Sequence, residues 1–169
     1  MKNIIWCLLM APFFCAAQSF ELKPLNEPAK TSLRGLSAVS DQVIWVSGSN
    51  GSVGKTLNGG KTWEWMKPNG YEQLDFRDIE AFDDKQALIV NAGSPAYVLK
   101  TADGGKTWTE HYKNLDSAIF LDGLGFWDKN RGIIFGDPIQ DKMQLLKTGN
   151  AGKTWTNISA NLKQPLAKG

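Results

Sequence analysis

Thiol chemistry has almost no place in this chain: its two cysteines, Cys7 and Cys15, both fall within the first 17 of 169 residues. The remaining residues therefore carry no disulfide, no thiolate nucleophile and no cysteine zinc site. A single histidine, His111, excludes His-rich metal centres. Formal charge is only +2, and +1 without Lys2, so there is no electrostatic case for nucleic acid or an anionic membrane as partner. No Gly-rich dinucleotide fingerprint, flavin motif or cluster of metal-ligating residues is present, so no cofactor and no metal is expected. No segment beyond the first 17 residues keeps a helical period, and no apolar run is long enough to cross a bilayer.

The N-terminus has a short, different character. Lys2 precedes an apolar run of 11 residues, Ile4–Phe14, followed by Cys15-Ala16-Ala17, with small residues where a signal peptidase cuts before Gln18. Residues 1–17 are thus expected to be a signal peptide and the product to be exported, periplasmic or extracellular, without membrane insertion. Acylation of Cys15 as a lipoprotein is disfavoured, because Phe13 and Phe14 stand where small residues are required.

What is present is repetition. "TLNGGKTWEW" from Thr56, "TADGGKTWTE" from Thr101 and "TGNAGKTWTN" from Thr148 share one pattern, and Trp63, Trp108 and Trp155 recur at intervals of 45 and 47 residues. The likeness extends upstream, where each copy has a short apolar strand (Leu36–Val39, Ile79–Phe82, Leu124–Trp127) and a polar turn. A second strand follows (Val43–Gly48, Ala87–Gly93, Gly132–Gly136), then a Gly/Pro loop, a third strand ending in Lys-Thr and a fourth beginning at Thr-Trp. Tandem four-stranded units of about 40–50 residues predict the antiparallel blades of an all-β propeller. The blades are placed at about 31–72, 73–117 and 118–161 of one domain, 18–169.

The turn can be written Thr-x-Asx-x-Gly-Lys-Thr-Trp. The Asx position is Asn58, Asp103 and Asn150 in the three copies. A catalytic or metal-binding carboxylate cannot become an amide and keep its chemistry, whereas either side chain can accept the same backbone bonds. The turn is therefore expected to be architecture. Its parts are Gly60, Gly105 and Gly152 for a positive φ, Thr62, Thr107 and Thr154 opening the last strand, and the tryptophans wedged between sheets. This pattern resembles the Asp-box, the bacterial neuraminidase repeat shared by sialidases, some glycanases and sortilin-type receptors. The longer repeat, with "GGKTW" after "LKT" and "GDP" in a preceding loop, most resembles the photosystem II stability/assembly-factor-like propellers. That resemblance covers nearly all of residues 31–160 and implies a fold far more sharply than a function.

Two look-alikes are set aside. "SNGSVGKT", Ser49–Thr56, approaches a phosphate-binding loop, but the repeat puts Gly54-Lys55-Thr56 on a strand with no helix after it. "DKNRG", Asp128–Gly132, is too short for a calcium loop and reads as a β-turn.

Strand order puts the Asp-boxes on one face of the propeller, so a functional cleft is expected on the other. Arg34, Arg77 and Asp122 enter the first strands there, with Asp78 beside Arg77, and Asp137 lies in the loop after the second strand. Guanidinium groups at a channel mouth can hold carboxylates of a ligand or a peptide. The expected role is an exported binding or assembly module for a protein or peptide. The alternative is a sialidase-like glycoside hydrolase acting on a glycan, with Asp122 and Asp137 as its carboxylate pair and an incomplete active site. Only three arginines exist, Arg131 lies in an opposite-face loop, and Tyr71, Tyr97 and Tyr112 fit no nucleophile motif, so the balance is against an enzyme. Three blades fall short of the roughly 4–8 of closed propellers. The expectation is a truncated piece of a longer propeller, with a homodimer closing a six-blade ring as the alternative.

Overall fold

The computed structural model describes residues 31–162; the expected signal segment, residues 1–17, lies outside them. Twelve strands form three four-stranded antiparallel meanders. Blade 1 is β1 (Leu33–Ala38), β2 (Ile44–Gly48), β3 (Val53–Thr56) and β4 (Glu64–Met66). Blade 2 is β5 (Phe76–Ala81), β6 (Ala87–Asn91), β7 (Ala96–Thr101) and β8 (Thr109–Asn114). Blade 3 is β9 (Leu121–Phe126), β10 (Gly132–Ile139), β11 (Lys142–Thr148) and β12 (Thr156–Asn157), followed by one 3-10 turn at Ser159–Asn161. The propeller reading holds, with Gly54–Thr56 on β3 as the repeat requires.

Two seams carry the core. Trp45, Val53, Phe76, Ile79, Ala87, Ile89 and Leu99 fill the space between blades 1 and 2. Leu88, Val90, Val98, Leu121, Leu124, Ile134 and Leu146 fill that between blades 2 and 3. Strand β6 belongs to both, which explains why "ALIVN" is buried at every position and does not alternate. The first strands β1, β5 and β9 pack on one another, and β4, β8 and β12 lie at the exposed outer rim.

Each Asx turn is built from one set of bonds. In the second copy Thr101 Oγ1 donates to Asp103 Oδ1 (2.9 Å) and accepts from Gly105 N (2.9 Å), while Thr107 N donates to Asp103 Oδ1 (2.9 Å). Thr56, Asn58, Gly60 and Thr62 repeat the set, as do Thr148, Asn150, Gly152 and Thr154. One proton changes direction. Thr107 Oγ1 donates to Asp103 Oδ2 (2.6 Å), whereas Asn58 Nδ2 and Asn150 Nδ2 donate to Thr62 Oγ1 and Thr154 Oγ1 (2.8 and 2.9 Å). Because a hydroxyl both donates and accepts, acid and amide are interchangeable at this position. Trp108 Nε1 also donates to Gly105 O (3.1 Å), tying the wedge to its own turn. The last strands start two residues later than expected, after the tryptophan, at Glu64, Thr109 and Thr156. The Thr residue is occupied by the turn and is not available to the ladder.

The turns also join blades. Gly105 (φ 90°) sits so close to blade 1 that a Cβ would overlap Met66 Sδ, and one on Gly152 (φ 72°) would overlap Leu88 Cδ2. Lys55 Nζ reaches across to Gly104 O (2.9 Å) and Lys100 Nζ to Ala151 O (2.6 Å), both from buried side chains. Burial beside Lys153 pulls the Lys100 ammonium below its ordinary range. Trp45 Nε1 adds a bond to Asp83 O (3.0 Å) of the next blade.

Three outcomes follow from the turns. Replacing Asn150 by Ala removes the Thr148, Thr154 backbone and Thr154 hydroxyl bonds together, and urea unfolding should show a loss of about 1–2 kcal/mol. Ala151 holds φ 60°, where the other copies have glycine, so Ala151→Gly should gain about 0.5–1 kcal/mol as relieved left-handed strain exceeds the added chain entropy. Thr107, through its hydroxyl and then its amide, lowers the Asp103 pKa to about 2. The unfolded chain then takes up that proton first as pH falls. The stability Asp103 contributes is full above about pH 4 and lost towards about pH 2. Thermal melts across that window should flatten in Asp103→Asn while the fold is kept.

Candidate functional site at the channel mouth

The first strands begin three residues earlier than the sequence pattern suggested, at Leu33, Phe76 and Leu121, and each carries a β-bulge. Leu33 pairs with Gly48 and Gly35 with Ser47, leaving Arg34 as the extra residue. Phe76 pairs with Asn91 and Asp78 with Val90, leaving Arg77, and in blade 3 the extra residue between Leu121 and Gly123 is Asp122. Arg34, Arg77 and Asp122 are therefore not loop residues entering the strands, as expected, but the bulged residues within them. A bulge interrupts the ladder and re-aims its side chain, which fits one position being turned towards the mouth in all three blades. Asp137 is displaced too. It lies inside β10, which runs on to Ile139 and turns at Gln140 and Asp141, both with positive φ.

The row is electrostatically linked. Arg77 Nη2 lies 3.6 Å from Asp122 Oδ1 across the seam between blades 2 and 3, with both side chains partly exposed. The guanidinium also stands 5.7 Å over the Phe120 ring. Asp122 on β9 neighbours Asp137 on β10, where Gly136 pairs with Leu121. Burial first, and then the Asp137 charge, pushes the pKa of Asp122 up against the opposing pull of Arg77. Among the described residues no group of three or more His, Cys, Asp or Glu could hold a metal ion.

Asp78 points elsewhere than at the mouth. Its Oδ2 accepts the Leu124 N–H of blade 3 (2.9 Å) and its Oδ1 the Ile79 N–H (2.9 Å), while burial raises its pKa despite both bonds. The aligned residues Gly35 and Gly123 have no carboxyl, and a Cβ on Gly35 would come within 2.8 Å of the Asp78 backbone. Arg34 is the third member of the row, at the open end of blade 1. There it lines a groove of about 430 Å³ with Leu33, Leu36, Ile44, Val46 and Trp63.

The loops above the row are braced by a residue that the sequence reading passed over. Asn91, buried at the end of β6, donates to Pro95 O (2.9 Å) and accepts from Tyr97 N, holding the Ala92–Pro95 loop. Nothing in the repeat marks it, because its counterparts are Gly48 and Gly136. Arg131 pairs with Asp128 (2.7 Å) in its own turn, and Tyr71 and Tyr97 meet edge to face at 5.1 Å in the seam. Neither joins the row. The bonds at Asp78 predict that Asp78→Ala loosens the seam between blades 2 and 3 by about 1–3 kcal/mol in urea unfolding, with Asp78→Asn recovering only part of it, because an amide has one oxygen to accept from the two N–H groups.

Comparison with known proteins fits this geometry. The structure resembles that of YCF48 from Cyanidioschyzon merolae, with TM-score 0.61 and 21% identity over 86% of this chain and 47% of that one. It also resembles a structure of YCF48 bound to D1 peptide, with TM-score 0.60 and 21% identity over 77% of this chain and 41% of that one. A GH74 xyloglucanase from Xanthomonas campestris matches at TM-score 0.52 and 13% identity, over 69% of this chain and 18% of the enzyme. These likenesses show the propeller fold, and this chain spans less than half the length of the YCF48 structures. No curated protein matches it. The sequence model of the Photosynthesis system II assembly factor YCF48 matches residues 69–167, more than half of the chain, and the protein belongs to that family.

Proposed function

We propose that this chain is a binding module of the assembly-factor type that holds a peptide or protein segment at the channel mouth. The observation that carries it is the cross-blade row: three bulged residues at one blade position, Arg34, Arg77 and Asp122, with Asp137 against the last. Such a row offers guanidinium donors to carboxylates, whether acidic side chains or a free C-terminus. Beside them the carboxyl pair can take amide or ammonium groups. The D1 peptide bound to a YCF48 propeller supports a peptide as the class of ligand. The segment Lys2–Ala17 supports export to the periplasm or beyond, with cleavage before Gln18. A glycan is the second class of ligand, on the likeness to the GH74 fold alone.

Fluorescence anisotropy with a panel of labelled acidic peptides tests the site. Arg77→Ala should weaken binding about tenfold, near 1.4 kcal/mol, and Arg34→Ala should act in the same direction, with no turnover of aryl glycosides by any variant. Hydrolysis of an aryl glycoside that disappears in Asp122→Asn or Asp137→Asn would establish the glycosidase instead. Intact mass of the exported protein should place its N-terminus at Gln18.

A further inference from the structure

The bulge position reads Arg34, Arg77, Asp122 along the blades, so blade 3 presents a carboxylate where the first two present a guanidinium. Blades 2 and 3 meet at a seam, and both bulges aim into it. Asp122 Oδ1 therefore stands 3.6 Å from Arg77 Nη2. A carboxylate of this chain thus occupies the flank of Arg77 that a ligand's carboxylate would need.

The contact holds loosely. At 3.6 Å it is an ion pair without a hydrogen bond, whereas a free carboxylate can take two guanidinium N–H groups at about 2.7–2.9 Å. Both side chains reach solvent, and an exposed pair of this kind adds little to stability. The seam is held instead by the Asp78 bond to the Leu124 amide and by apolar packing. Asp122 is also pressed to leave, because burial and the neighbouring Asp137 charge both disfavour its ionised form. Arg77 is held in place from another side. Its guanidinium lies 5.7 Å from the Phe120 ring, and Phe120 O accepts the Asp137 amide (2.9 Å), which fixes the segment carrying that ring.

On the reading of the mouth as a peptide site, we propose that Asp122 is an internal stand-in for the ligand's carboxylate. It holds Arg77 until an acidic group able to make two bonds takes its place. Asp122 is then a specificity-determining residue. Because it is tethered beside Arg77, its effective concentration is high, and a small anion offering one contact cannot displace it. An acidic peptide can, since its other contacts along the row add to the carboxylate's own two bonds. The arginine of the row that faces Asp122 is thereby reserved for ligands that bind at more than one point.

A double-mutant cycle on the full chain tests this, read by anisotropy with a fluorescein-labelled acidic peptide. Asp122→Asn should tighten binding about three- to fivefold, and Asp122→Ser should do the same, with unchanged circular dichroism. In the Arg77→Ala background the gain should vanish, because Asp122 then has no guanidinium to occupy. Asp141→Asn makes the same change of charge in the turn after β10, at a residue with no ion pair to Arg77, and should leave affinity unchanged. Acetate should compete with the peptide more strongly in Asp122→Asn than in the unaltered chain. An equal gain with and without Arg77 would reduce the effect to a general field and overturn the stand-in. Unchanged affinity in Asp122→Asn, or weaker binding as expected of a direct ligand contact, would also overturn it. In those cases a loss in Arg77→Ala would leave the mouth site standing, whereas no effect of Arg77→Ala would remove the mouth reading itself.

Discussion

A threonine hydroxyl and an Asx side chain, bonded to each other and to the backbone of one turn, underlie the rest of this structure. Their bonds fix a loop tight enough for its glycine to lie against the preceding sheet and for its carbonyl to receive that sheet's lysine. A blade is thus locked internally and to its neighbour by the same few residues. This explains why the motif recurs with so little variation while the loops on the other face differ. It also explains the tolerance for Asn or Asp: the turn needs an oxygen acceptor and one reversible hydroxyl contact, and both residues satisfy that demand.

The opposite face is organised by a different device. Bulges in β1, β5 and β9 let a strand continue past one unpaired residue, and that residue is Arg34, Arg77 or Asp122. Placing this row within strands braced by seam packing gives it a rigidity that loops would not. The lysines show the energetic logic of the seams. Lys55 and Lys100 are buried yet bonded to carbonyls, which offsets the cost of taking an ammonium from water. Lys147, without such a partner among the described residues, stays at the surface.

Much of this was legible in the sequence because the repeat compares the protein with itself. Three copies revealed the strand count, the turn, its structural role, the strand placement of Gly54–Thr56 and the shared position of Arg34, Arg77 and Asp122. Strand ends were less legible. Apolar patterning stops where a bulge breaks the alternation, so Leu33, Phe76 and Leu121 went unread as strand starts. Asp78 also looked like a mouth residue beside Arg77, yet its carboxylate caps the Leu124 amide, a partner 46 positions away.

Sequence alone determined the unit, its number and the residues of its turn, since those bonds join positions two to four apart and local chemistry suffices to specify them. Tertiary structure decided what faces what. The Arg77–Asp122 contact, the Asp78–Leu124 bond and the lysine latches all depend on how a bulge aims a side chain and how one twisted sheet lies on the next. Those are distances between blades, set by the packing of Trp45, Leu88 and their neighbours, and no spacing along the chain encodes them.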